Sequence, residues 1–130
     1  MNRYSTMNEI VYDTSKTGFH AVLRDWQLKA IEVVWSNPKG IISRVAWQKV
    51  NEALKVETIS RASVITFLED MREMGVLKGD EKTGKGGHHW VYSPAMDEVG
   101  FRRFIAEKLI ESLVKSFPEE TREAIKNQIK

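Results

Sequence analysis

The stretch TISRASVITFLEDMREMGVL, residues 58–77, decides the fold. Ser60 is an N-cap candidate, because its hydroxyl can accept one of the unpaired N–H groups at a helix start. From there Val64, Phe67, Leu68 and Met71 recur at three- and four-residue steps, the spacing of one helical face. The helix is expected to run to about Met74, with Gly75 where a C-terminal glycine stop belongs. Val76-Leu77-Lys78 then resumes at once as a strand. Thr83-Gly84-Lys85-Gly86-Gly87 reads as a glycine turn, and His88-His89-Trp90-Val91-Tyr92-Ser93 alternates like a returning strand.

Upstream, helical period begins at Arg24, where Trp26, Ile31 (or Ala30), Val33, Val34 and Trp35 can share a broad apolar face. Asn37-Pro38-Lys39-Gly40 ends that helix. A second one is expected from Ser43, itself a plausible N-cap, with Val45, Ala46, Val50 and Leu54 turned inward. About three residues, Val56 to Thr58, separate it from the helix of the opening stretch. Helix, short turn, helix and glycine-tipped hairpin is the order of a winged helix-turn-helix. The glycines match neither a Walker loop nor a dinucleotide fingerprint, so a hairpin tip is the reading adopted.

Downstream, Pro94 ends the strand and Asp97 can cap a helix reaching about Phe117. Its apolar set includes Val99, Phe101, Phe104, Ile105, Leu109, Ile110, Leu113, Val114 and Phe117. These residues spread over more than half of the circumference, wider than one core-facing stripe. Pro118 with Glu119 and Glu120 reads as a further helix start, with Ile125 and Ile129 on its apolar side. Such a region needs cover, for which a second copy is the economical source and a self-contained core the alternative, so Phe101, Phe104, Ile105, Leu109, Leu113 and Phe117 are the candidate dimer contacts. The expected class is mostly α with a small β-hairpin wing: an arm or short strand (Glu9 to Tyr12) in 1–22, a winged-helix domain in 23–96 and a helical dimerisation region in 97–130.

The chain has 130 residues, one ordinary domain's worth, and no cysteine, which removes disulfides, thiolate zinc sites and thiol nucleophiles. No apolar run approaches the ~20 residues of a membrane span, and no secretion signal is visible, so a cytoplasmic protein is expected. The net charge is only +2. It is unevenly spread: residues 36–64 carry Lys39, Arg44, Lys49, Lys55 and Arg61 against Glu52 and Glu57. Residues 65–77 reverse the sign, with Glu69, Asp70 and Glu73 against Arg72, while 97–130 are balanced. A basic segment of this kind can be a solvated face or the footprint of a polyanion.

The residues Arg24-Asp25-Trp26-Gln27, Ser43-Arg44-Val45, the run from Thr58 to Leu68, Glu73-Met74-Gly75-Val76-Leu77 and Trp90-Val91-Tyr92-Ser93-Pro94 together resemble the penicillinase-repressor family of winged-helix regulators (the BlaI/MecI/CopY type). The resemblance spans about residues 23–117. It implies a homodimeric repressor of a palindromic operator, dimerising through its carboxy-terminal helices. Copper-responsive members use a cysteine-based metal site, which this chain cannot build. Beta-lactam-responsive members are cut within the dimerisation region, and no matching cleavage signal is identified here. The arm before residue 23 is also longer than family members usually need.

A winged helix sets its third helix in the major groove, amino-terminal half against the bases. Arg61, Ala62, Ser63 and Thr66 are therefore the candidate base-facing residues: Arg61 for guanine, the hydroxyls for base or phosphate, Ala62 for a thymine methyl. Ser43 and Arg44 start the second helix, where a phosphate is well placed, although capping alone accounts equally for Ser43. Lys82, Thr83, Lys85 and His88 are the wing candidates, with a plain solvated turn as the alternative. Trp35 and Trp47 are read as core rather than as base-stacking groups. His88 and His89 point to opposite faces of a strand and make a poor metal pair. No nucleophile–base pair has recognisable spacing, so neither catalysis, metal nor cofactor is expected. The partners expected are double-stranded DNA and a second copy. The alternative is a winged-helix protein-interaction module using the same basic surface.

Overall fold

The computed structural model describes residues 9–84 and 87–129. Among them are five α-helices, a single 3-10 turn at Gly18–Ala21 and three strands. The helices are α1 (Asp25–Trp35), α2 (Ser43–Ala53), α3 (Arg61–Glu73), α4 (Glu98–Ser116) and α5 (Pro118–Gln128). The strands β1 (Ile41–Ile42), β2 (Leu77–Gly84) and β3 (Gly87–Pro94) form one antiparallel sheet in the order β1-β3-β2. No helix among the described residues is long and apolar enough to cross a membrane.

The opening stretch folds as its pattern dictates. The Ser60 hydroxyl accepts from the Ser63 amide at 3.1 Å, and Val64, Phe67, Leu68 and Met71 are all buried. Gly75 follows with φ +87°, a left-handed turn that frees the chain to enter β2. Val76 and Leu77 are buried, and Leu77 pairs with Pro94 to open the hairpin. Trp26 of α1 meets Phe67 of α3 edge-on at 5.6 Å. Ile31 and Val34 of α1, Ala46 and Val50 of α2 and Tyr92 of β3 join this core.

Four local expectations differ from what forms. Glu9 to Tyr12 is not a strand. Ser43 is the first residue of α2 rather than its cap, and Ile42 holds the cap position with no side-chain acceptor. The reason is tertiary: Ile41 pairs with Tyr92 and Ile42 with Val91, so the backbone stays extended up to Ile42. The link between α2 and α3 is Leu54 to Ser60, longer than the three residues expected, because Leu54 already leaves helical geometry at ψ 137°. Finally, Phe101 and Ile105 are buried in the chain's own core and are not part of an outward face. Phe101 stacks on Phe19 at 5.5 Å and meets Trp35 at 6.1 Å, so the segment before residue 23 closes the core from this side.

α4 is capped by the Asp97 carboxylate, which accepts from the Gly100 amide at 2.8 Å. α5 folds back on it. The buried Thr121 hydroxyl donates to the Leu113 carbonyl at 3.1 Å, and Pro118 occupies the first turn, where its missing N–H is not needed.

Candidate nucleic-acid interface

The α2–α3 link is closed by side chains rather than by chain length. The Ile59 amide donates to Asn51 Oδ1 at 2.9 Å, and Asn51 Nδ2 donates to the carbonyls of Ile59 and Trp47, both at 3.1 Å. Trp47 Nε1 adds a bond to the same Ile59 carbonyl at 2.8 Å. One backbone residue, Ile59, is thus held from two positions on α2, which fixes the entry into α3. Trp35 is used similarly, its Nε1 donating to the Met96 carbonyl at 3.1 Å. Both indoles therefore brace the fold.

On α3 the amino-terminal half is open: Arg61 and Ala62 are exposed, and Ser63 and Thr66 are half-buried. The Ser60 and Ser63 hydroxyls lie 2.9 Å apart and share one hydrogen, so the pair keeps a further hydroxyl hydrogen to donate. At the start of α2, Arg44 is exposed and Ser43 half-buried. On β2, Lys82 and Thr83 are exposed, and Thr83 sits opposite His88 in the register. Lys85 lies outside the described residues, as does the side chain of His88.

The carboxyl-terminal half of α3 carries the acids, and two of the three are drawn into the protein. Asp70 is 4% exposed. Glu69 accepts from Arg72 Nη2 at 2.8 Å and from the buried Tyr92 hydroxyl in a short bond. Burial alone would raise the Glu69 carboxyl, but the bonds from Arg72 and Tyr92 outweigh it and hold the group below the usual carboxylate range. Burial, reinforced by the neighbouring carboxylate, pushes the Tyr92 phenol far above its ordinary value. The Arg72 guanidinium lies 4.9 Å over the Trp90 ring. Its stem crosses β2 where Gly79 leaves room, since a Cβ there would stand 2.4 Å from Arg72 Cδ. This clamp ties the hairpin to α3. Only Glu73 remains as an exposed acid of that helix.

The outer side of α4 is the second surface of note. Val99, Ile110, Leu113, Val114 and Phe117 are between 42% and 59% exposed and run along the face opposite Phe101 and Ile105. Exposed Arg103 and Glu107 separate Val99 from the rest, so the continuous stripe runs from Ile110 to Phe117, about 10 Å at ~1.5 Å per residue. Toward α5 it continues into an apolar groove of 320 Å³ with Ile125 and Ile129. Of the other candidate dimer contacts, Phe104 and Leu109 are half-buried and lie against the core.

No known protein family, curated protein or solved structure matches this chain. Among the described residues no three metal-ligating side chains converge. What sequence reasoning missed was the Asn51 anchor, the Glu69–Arg72–Tyr92–Trp90 clamp and β1. An asparagine near the end of a helix, where it is a poor helix former, was the available sign of the first. The other two depend on which strand lies beside which helix, and the local pattern carries no such information.

Proposed function

We propose that this chain is a winged-helix regulator of the penicillinase-repressor type, which binds double-stranded DNA sequence-specifically as a homodimer and represses by occlusion. In this reading α3 enters the major groove, with Arg61, Ala62, Ser63 and Thr66 toward the bases. Ser43 and Arg44 meet phosphate, and β2–β3 with Lys82, Thr83, Lys85 and His88 lies on the flanking backbone. The observation that carries the reading is the withdrawal of the acids of α3. With Asp70 buried and Glu69 neutralised against Arg72, the exposed start of the helix presents a cation and hydroxyls to a polyanion. A charge count of the whole helix would have argued the opposite. The exposed apolar face of α4 and α5 is the surface for the second copy, with Leu113 and Phe117 retained from the expected set and Ile110, Val114, Ile125 and Ile129 added.

The experiment is selection of bound duplexes from a random library, followed by anisotropy titration of the enriched sequence. The specific site should bind ~10³-fold or more tightly than random duplex. Log affinity should fall linearly with log salt, by about 0.9 per phosphate contacted. Arg61→Ala should cost ~1–3 kcal/mol and relax one operator position. Failure to enrich any sequence, without salt-dependent duplex binding, would leave the basic surface to a protein partner and sink the proposal.

A further inference from the structure

A cleft of 610 Å³ lies where the segment at Glu9 and Ile10, the end of α3 and the middle of α4 meet. Its volume is that of an ordinary small-molecule site. Its floor is apolar: Ile10, Met74, Phe104 and Leu109 are half-buried against the core. Its walls are charged, and the charges are not equally engaged. Lys108 and Glu111 face each other at 3.8 Å, and Lys108 Nζ already sits 5.7 Å from the centre of the Phe104 ring. Within α4, then, the Phe104 ring already offers its face to an alkylammonium one turn away. Glu9 and Glu73 are exposed carboxylates of the same lining, and Lys115 is its remaining cation. Glu73 is the last residue of α3, where the helix dipole presents its negative end and adds to the pull on a positive group.

We propose that this cleft is a binding site for a small amphipathic cation: an aromatic or alkyl body on the Ile10–Met74–Phe104–Leu109 floor, with its ammonium drawn to the Glu9 and Glu73 carboxylates of the rim. Complementarity favours this class over its rivals. A neutral apolar molecule would leave both carboxylates without gain, and an anion would be repelled by them while meeting only Lys115 as an uncommitted partner. The site is separate from the DNA-facing residues, and its existence does not depend on the regulator reading.

The test uses the full chain, without DNA, and two fluorescent probes with the same aromatic body and opposite charge: dansylcadaverine as the ammonium and dansylglycine as the carboxylate. Anisotropy titration should show saturable one-site binding of dansylcadaverine and none of dansylglycine. Glu9→Gln and Glu73→Gln, both at exposed positions, should each weaken the cation by about tenfold, with the thermal melt unchanged. Glu57→Gln, on the α2–α3 link outside the cleft, should leave binding as it was. Absence of saturable binding, equal binding of the two dyes, or cation affinity unaltered in the Glu9 and Glu73 variants would each overturn the proposal. Because duplex binding is measured separately, a failure here leaves the regulator reading standing, and the reverse also holds.

Discussion

Removing the Asn51 side chain tests whether the α2–α3 link is held by hydrogen bonds or merely by packing. Asn51→Ala takes away the acceptor of the Ile59 amide and one of the two donors to the Ile59 carbonyl. Trp47 Nε1 still serves that carbonyl, so the amide is the group left orphaned. Two intramolecular bonds at about 1 kcal/mol each give a loss of about 2 kcal/mol. Alanine returns about 0.5 kcal/mol through its better helix propensity. The net loss expected is about 1.5 kcal/mol, or a Tm lower by about 6 °C for a chain of this size. Asn51→Asp separates the two explanations. It keeps the volume and the acceptor but turns an oxygen toward two carbonyls at the negative end of α2, so it should destabilise as well. Differential scanning calorimetry provides both numbers, with Gln48→Ala on the exposed side of α2 as the control. A Tm change under about 1 °C in the alanine variant, or a silent aspartate, would refute the anchoring argument.

Three further outcomes follow from the geometry. Ile110→Asp with Leu113→Asp should give a monomer by light scattering while leaving the protomer folded, since both residues are exposed; a mutant that stays dimeric would remove this face from the interface. Glu69 has its folded pKa depressed, so its contribution is complete above the unfolded carboxylate value of about 4.3 and is lost as pH falls through the folded value. The Tm difference between wild type and Glu69→Gln should therefore be flat from neutral pH to about 5 and shrink below it; a constant difference down to pH 3 would refute the clamp's ionic character. Gly79→Ala should destabilise by about 1–3 kcal/mol in chemical denaturation, because its Cβ meets the Arg72 stem and Trp90; an unchanged midpoint would show that the stem yields without cost.

The local chemistry of the sequence was the legible part. Ser60, Gly75, Asp97 and Pro118 each marked an element boundary through its own side chain or backbone preference, and each boundary stands where those preferences put it. Ser43 shows the limit. Its cap propensity was overruled by Ile41 and Ile42 pairing with a strand fifty residues away. The apolar width of α4 was legible too, but not its division. Period alone assigns Phe101 and Leu113 to one helix without saying that Phe19 and Trp35 cover the first while the second stays 48% exposed among the described residues. The candidate interface followed the same rule. The exposure of Arg61 and Ala62 was readable from the helical face, whereas the neutralisation of Glu69 required knowing that Tyr92 lies beneath it.

That division of α4 has a mechanical consequence. Phe101, Ile105 and Leu109 seat the helix on the core, and the seven residues from Ile110 to Ser116 extend beyond them as an arm of about 10 Å. A rock of about 5° at this fulcrum, within ordinary helix-packing tolerance, carries the far end through roughly 0.9 Å. In the proposed dimer two such arms meet, so the separation of the two α3 helices is geared to a rotation at Phe101. Phe19, Trp35 and Phe104, whose rings bear on that pivot, become the gears' bearings, and their size sets how far the arms can turn.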